Sequence, residues 1–195
     1  GCSRHIHQSL VDKNSGANLF VDADGDASEM FNHYLAGLQQ YTPNLISFYA
    51  PNVNSYRRLT KHLNAPVNMH WGYDNRTVGL RIPDSEAAAT RIENRFSGID
   101  ANPYLAIAAS LASGLAGIRN KLRPTEPYEG NACDEDISIA RSLEEALNGL
   151  DELGDVADIL GQEFITAYQL VKFNELEEFN RVISTWEREN LLLNV

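Results

Sequence analysis

Arg91-Ile92-Glu93-Asn94-Arg95-Phe96, followed closely by Ala101-Asn102-Pro103-Tyr104-Leu105, is the stretch that decides how this chain is read. The first segment alternates polar and apolar residues and predicts a strand within 89–96. Side chains two apart on a strand point to one face, so Arg91, Glu93 and Arg95 stand together. Asn102 is a good N-cap and Pro103 suits a first helical turn, so a helix opens there. Apolar residues nearly all round it (Tyr104, Leu105, Ile107, Ala108, Leu111, Leu115, Ile118) predict a buried helix ending near Pro124.

A carboxylate between two guanidiniums has two readings. It can be a salt-bridge ladder, worth little on a surface. Alternatively, Glu93 ligates Mg²⁺ or Mn²⁺ while the arginines grip phosphate or carboxylate through paired hydrogen bonds. Spacing alone leaves both open.

Working outward, His5-Ile6-His7-Gln8-Ser9-Leu10 also alternates and predicts a strand with His5 and His7 on one face. Such a pair can present imidazole nitrogens to a metal or phosphate, or can be two half-exposed strand histidines. Asp22, Asp24 and Asp26 resemble the opening of a calcium loop, but Ala27 and His33 occupy the places of its glycine and final glutamate. The segment is read as a loop leading into a helix over 29–41. Val67 to Pro83 predicts two strands around Tyr73-Asp74-Asn75-Arg76. Ser142-Leu143-Glu144-Glu145 predicts a capping box and a helix through about Leu150. Residues 161–190 predict one or two more helices. Strands first and helices last argue an α+β fold.

The 195 residues are 43% hydrophobic and 22% charged, with a net charge of −11. Residues 1–124 hold 12 Lys and Arg against 10 Asp and Glu; from Thr125 onward the ratio is 4 to 17. The acidic half argues against nucleic acid or an anionic membrane as partner. Arg57, Arg58, Arg76 and Arg81 add cations to the first half with few local acids, an arrangement suited to an anionic ligand. Two distant cysteines, Cys2 and Cys133, make a reducing cytoplasm the default.

Four collinear segments resemble the glutamine synthetase family. His5-Ile6-His7-Gln8-Ser9-Leu10 resembles its metal-binding strand, G-S-G-x-H-x-H-x-S-L. Asn54-Ser55-Tyr56-Arg57-Arg58-Leu59 with Ala65-Pro66 resembles its substrate loop. Asn75-Arg76 through Arg81-Ile82-Pro83 resembles N-R-S-x-x-x-R-[IV]-P, and the opening stretch resembles R-[IL]-E-x-R…A-N-P-Y. The resemblance implies the glutamine synthetase/guanido kinase-like fold. Residues 1–195 would form the C-terminal part of the catalytic domain, with antiparallel strands followed by helices. It also implies an ATP- and Mg²⁺- or Mn²⁺-dependent ligase that joins the γ-carboxylate of glutamate to an amine through an acyl phosphate, in a homo-oligomeric ring. By this resemblance His5 and Glu93 ligate a metal, and His7, Arg76, Arg81 and Arg91 face the nucleotide and the transferred phosphoryl group. Gly1, Arg58 and Arg95 would hold glutamate.

Departures from the family pattern shape the expectation. Asn64 stands where ammonia-using members carry a glutamate, within the altered stretch Thr60-Lys61-His62-Leu63. A neutral amide accepts no proton as a carboxylate does, so the expected nucleophile is a polyamine or other larger amine rather than ammonia. Ala88 replaces a nucleotide-side lysine, Cys133 a tyrosine adenylylated in some bacterial members, and Gly1-Cys2-Ser3-Arg4 the glycine-rich approach. The remaining glutamate ligands would precede residue 1, and the isolated chain is expected not to turn over. Two other readings are a non-catalytic structural relative and a guanidino-phosphotransferase. The retained His5, Glu93 and arginines weigh against the former, the collinear motifs against the latter.

Overall fold

Alternation places the two faces of a small sheet, and the helices then cover one of them. The structure, a computed structural model, describes residues 2–61 and 63–193. Four short strands, β1 (Ile6–Gln8), β2 (Trp71–Tyr73), β3 (Leu80–Ile82) and β4 (Ile92–Asn94), form one sheet in the order β1-β4-β3-β2. β4 pairs antiparallel with β1 (His7 opposite Glu93) and with β3 (Arg81 opposite Glu93). The expected antiparallel arrangement fails at one edge, where β2 and β3 run parallel with Gly72 opposite Arg81. Residues 74–79 make this connection. Asp74, at φ 45°, occupies the left-handed region that aspartate tolerates better than most residues.

On β3 and β4 the even-numbered apolar residues Leu80, Ile82, Ile92 and Phe96 enter the core beneath the sheet. The odd-numbered Arg81, Arg91, Glu93 and Arg95 take the opposite face. Beneath lie α1 (Glu29–Tyr41) and α3 (Pro103–Arg119), with the short α2 (Ile46–Tyr49) between them in sequence. Ser28 caps α1 by accepting from the Phe31 N–H at 3.1 Å. Asn102 caps α3 through the Tyr104 N–H at 3.0 Å. Phe31, Leu35 and Leu38 of α1 are fully buried, each contributing about 1.5–3 kcal/mol of transfer free energy.

The reading of α3 as buried all round is corrected. Its inner face is made of small residues (Ala106, Ala109, Ser110, Ala112, Ser113, Ala116), whereas Tyr104, Ile107, Leu111 and Leu115 are exposed. The reason is the closeness of α1. A Cβ on Gly37 would lie 2.1 Å from the Ser113 carbonyl oxygen and 2.8 Å from Gly117 Cα, leaving no room for a large side chain. The helix also ends at Arg119, before Pro124, because Asn120 and Lys121 (φ 49°) turn the chain away.

The acidic half packs as α4 (Leu143–Asn148), α5 (Asp155–Leu160), α6 (Gln162–Asn180) and α7 (Thr185–Asn190). Only half of the capping box at α4 forms. Ser142 accepts from Glu145 N–H, but the Glu145 carboxylate accepts from Arg141 N–H rather than that of Ser142. In the loop before α1 the Asp22 carboxylate accepts from the Asp24 and Asp26 N–H groups at 3.0 Å and closes a turn. Among the described residues no helix is long and apolar enough to cross a membrane.

Candidate active site

Register brings the charged residues together. Because β1 and β3 both flank β4, the face opposite the helices gathers His5 and His7 from one side and Arg81 from the other around Glu93. Glu93 is 2% exposed and holds three cationic or potentially cationic partners. His5 Nδ1 lies 2.6 Å from Oε1, Arg81 Nη1 2.8 Å from Oε2, and Arg95 Nη1 3.1 Å from Oε1. Burial alone would raise the Glu93 carboxyl. The Arg81 hydrogen bond and the charges of Arg95 and His5 outweigh it and hold the group below the usual carboxylate range. Burial, reinforced by the Arg95 charge, pushes the His5 imidazole below its ordinary value against the opposing pull of Glu93. A carboxylate beside an imidazole is a donor set suited to a divalent metal. His5 and Glu93 thus fit as two protein ligands of a cation. Among the described residues no group of three His, Cys, Asp or Glu side chains is set to hold one.

His7 and Arg91 form a second pair on the same face, with Arg91 Nε donating to His7 Nδ1 at 3.4 Å. Arg76 enters the network by its backbone, its carbonyl accepting from Arg95 Nη2 at 2.9 Å. The Arg76 side chain is exposed and has no hydrogen-bond partner among the described residues. Arg95 is 7% exposed, with both terminal nitrogens committed to Glu93 and Arg76. The structure therefore gives Arg95 an internal part to play, and a glutamate carboxylate reaches it only by exchange with those partners.

Arg58 stands apart from this network. Its Nη2 donates to the Phe96 carbonyl at 2.5 Å, and Asp100 partly offsets the burial that lowers its pKa. Asp100 is itself anchored by Ser55 Oγ at 2.6 Å and Asn52 Nδ2 at 3.2 Å. Asn64 is exposed and, among the described residues, shares no hydrogen bond with these side chains. Gly1, and His62 in the altered stretch beside Asn64, lie outside the described residues. Arg58 Nη1, Arg81 Nε and Arg95 Nε are buried without a hydrogen-bond partner among the described residues. Buried cationic donors left unmet are costly unless water or an anion serves them.

One residue of the site was missed from sequence. Asp74 binds Arg81 Nη2, so Arg81 bridges two carboxylates. The available signal was a lone acid in the turn before Arg76, seven residues ahead of Arg81.

A sequence model described as "Glutamine synthetase, catalytic domain" matches residues 1–191. The chain belongs to the glutamine synthetase family. Among its relatives, a glutamate–isopropylamine ligase of a Pseudomonas species is 41% identical over 193 residues, which is 96% of this chain and 42% of that protein. The γ-glutamylputrescine synthetase PuuA of Escherichia coli K12 is 38% identical over 195 residues, 100% of this chain and 41% of its own length. The solved structure of apo GmaS without ligand superposes with a TM-score of 0.87 at 31% identity, covering 98% of this chain and 45% of that one. The chain thus spans about two fifths of the length of the curated relatives it matches. Their agreement with the α+β architecture establishes the fold expected from the strand and helix motifs.

Proposed function

We propose that this chain supplies part of the active site of an ATP-dependent ligase that joins the γ-carboxylate of glutamate to an amine other than ammonia. The observation that carries the reading is the convergence on Glu93. A buried carboxylate and an imidazole meet at 2.6 Å, ringed by arginines, in a member of a ligase family. In this reading His5 and Glu93 hold a divalent metal, which when bound offsets charge on the transferred phosphoryl group. Arg76, Arg81 and Arg91, with His7, face the phosphates of ATP, and fixed cations there favour the transition state over the ground state. Arg76, exposed and without a hydrogen-bond partner among the described residues, is the best placed of these to meet a ligand. Arg58 meets glutamate, and Arg95 orders Glu93 from behind as well as lining the glutamate side.

Two observations support an amine larger than ammonia. Asn64, exposed and neutral, offers no carboxylate to bind and deprotonate ammonium. Relatives named for isopropylamine, putrescine and ethanolamide products stand at 36–41% identity. A glutamine synthetase of Vibrio cholerae at 36% identity keeps ammonia as the second reading.

The test is ATP consumption by the assembled enzyme that carries this chain, with glutamate and a panel of isopropylamine, putrescine, ethanolamine and ammonium. ADP release that needs both glutamate and an organic amine, with the γ-glutamyl amide detected by mass, is the expected result. Turnover with ammonium alone would move the reading to glutamine synthesis, and no glutamate-dependent ADP with any amine would end it.

A further inference from the structure

We infer that Asp74, which lies outside the motif positions assigned above, positions Arg81 and keeps its guanidinium from closing wholly onto Glu93. This rests on the proposed roles of Arg81 and Glu93.

The fold fixes Asp74 first. β2 and β3 are parallel, so residues 74–79 must carry the chain back along the sheet, and Asp74 starts that course at φ 45°. Its N–H donates to the Ile82 carbonyl at 2.8 Å, locking its backbone to the end of β3. The Asp84 N–H also helps to lower its carboxyl. The residue that meets Arg81 Nη2 is therefore fixed by its own backbone.

Arg81 then lies between unlike partners. Nη2 goes to Asp74, whose side chain is 58% exposed, and Nη1 goes at 2.8 Å to Glu93, whose side chain is 3% exposed. A guanidinium presents parallel N–H groups that match a carboxylate in a two-point grip. Without Asp74, Glu93 is the carboxylate left within reach of Arg81, and it already holds His5 and Arg95. A Glu93 gripped more tightly by arginine is a poorer partner for a divalent cation, and an Arg81 turned inward is withdrawn from an anionic ligand. Asp74 divides the guanidinium between surface and interior. It is a positioning residue, acting through Arg81.

The experiment compares Asp74→Asn, Asp74→Gly and Arg81→Met in the assembled enzyme. Asparagine tolerates the same left-handed backbone and removes only the charge. Glycine removes the carboxylate while relaxing the backbone. Both Asp74 variants are expected to raise the KM for ATP and the apparent Kd for Mn²⁺ roughly five- to tenfold, the range for one charge-assisted hydrogen bond. The KM for glutamate and the Tm should change little. Unchanged ATP and Mn²⁺ parameters in both variants overturn the inference, as does a loss that follows Tm alone. Arg81→Met separates the two levels of argument. If it weakens ATP binding while Asp74→Asn does not, the positioning role fails and the site reading stands. If it leaves ATP binding intact, the role of Arg81 fails and the inference falls with it.

Discussion

In β4 and the residue that follows it the charged side chains are inside, with Glu93 and Arg95 at 2% and 7% exposure. In α3, a few residues further on, the large apolar residues are outside, with Tyr104 at 82% and Leu111 at 45%. Neither element obeys hydropathy, and the two exceptions have different causes. Glu93 is tolerated because its charge is met by Arg81, Arg95 and His5, an arrangement that pays desolvation to hold a site in place. The large residues of α3 are outside because α1 approaches its inner face closely, leaving no room for a side chain at Gly37 and Gly117 and seating the Tyr34 ring on Gly114. What a neighbour requires, more than what a side chain prefers, decides burial here.

The strongest way to break this comparison is to remove the charge that β4 buries. Glu93→Ala leaves the buried Arg95 without a carboxylate and Arg81 with Asp74 alone, and should lower the unfolding free energy by about 3–5 kcal/mol in urea titration. A loss below about 1 kcal/mol would mean that the buried network contributes no more than a surface ladder. Next in size, Gly117→Ala places a Cβ 2.2 Å from the His33 carbonyl and 2.6 Å from Gly37 Cα. It should cost about 1–3 kcal/mol by overpacking, and a neutral result would show that the two helices have slack.

Acid sharpens the contrast between paired and unpaired carboxylates. Asp74 is held below the usual range chiefly by the Arg81 hydrogen bond. Asp100 is raised by burial but lowered further by Ser55 and Asn52. A depressed folded-state value means that their stabilisation is complete above the unfolded value, about 3.9, and is lost as pH falls through the lower folded values. Tm followed by circular dichroism should therefore fall more steeply below about pH 4 in the parent chain than in Asp100→Asn. Parallel profiles would show that Asp100 anchors nothing. The smallest effect belongs to α3. Leu111→Gln should change stability by no more than about 0.5 kcal/mol, and a loss above about 2 kcal/mol would show that the open face is covered in solution.

Much of the site was legible because a period of two requires little context. Once Arg91, Glu93 and Arg95 share a face and His5 and His7 share another, antiparallel pairing alone sets them against each other. Asp74 was illegible for the matching reason. Its place beside Arg81 depends on a parallel connection of six residues, and the sequence around Tyr73-Asp74-Asn75-Arg76 reads more naturally as a hairpin turn. Residues 29–41 and the start of α3 were legible from caps that act locally. The outward face of α3 was not, since it depends on how near α1 stands, which only Gly37, Gly114 and Gly117 together reveal. Asn64 was legible as a substitution, while its exposure depends on tertiary arrangement.

The crossing of α1 and α3 has a reach beyond stability. Tyr34 of α1 and Ser110 of α3 both bond Gln8, at 2.8 Å each, and Ser110 also takes a hydrogen bond from Asn94 at 3.2 Å. Gln8 neighbours His7 and Asn94 neighbours Glu93, so the helix pair is the floor on which β1 and β4 rest. Gly37 and Gly117 set the height of that floor. Replacing helical glycines by alanine is a common route to stiffer proteins, but here it would tilt the site from beneath. A screen for heat tolerance would discard the Gly117 variant for a fault that reaches the His5–Glu93 pair without altering either residue.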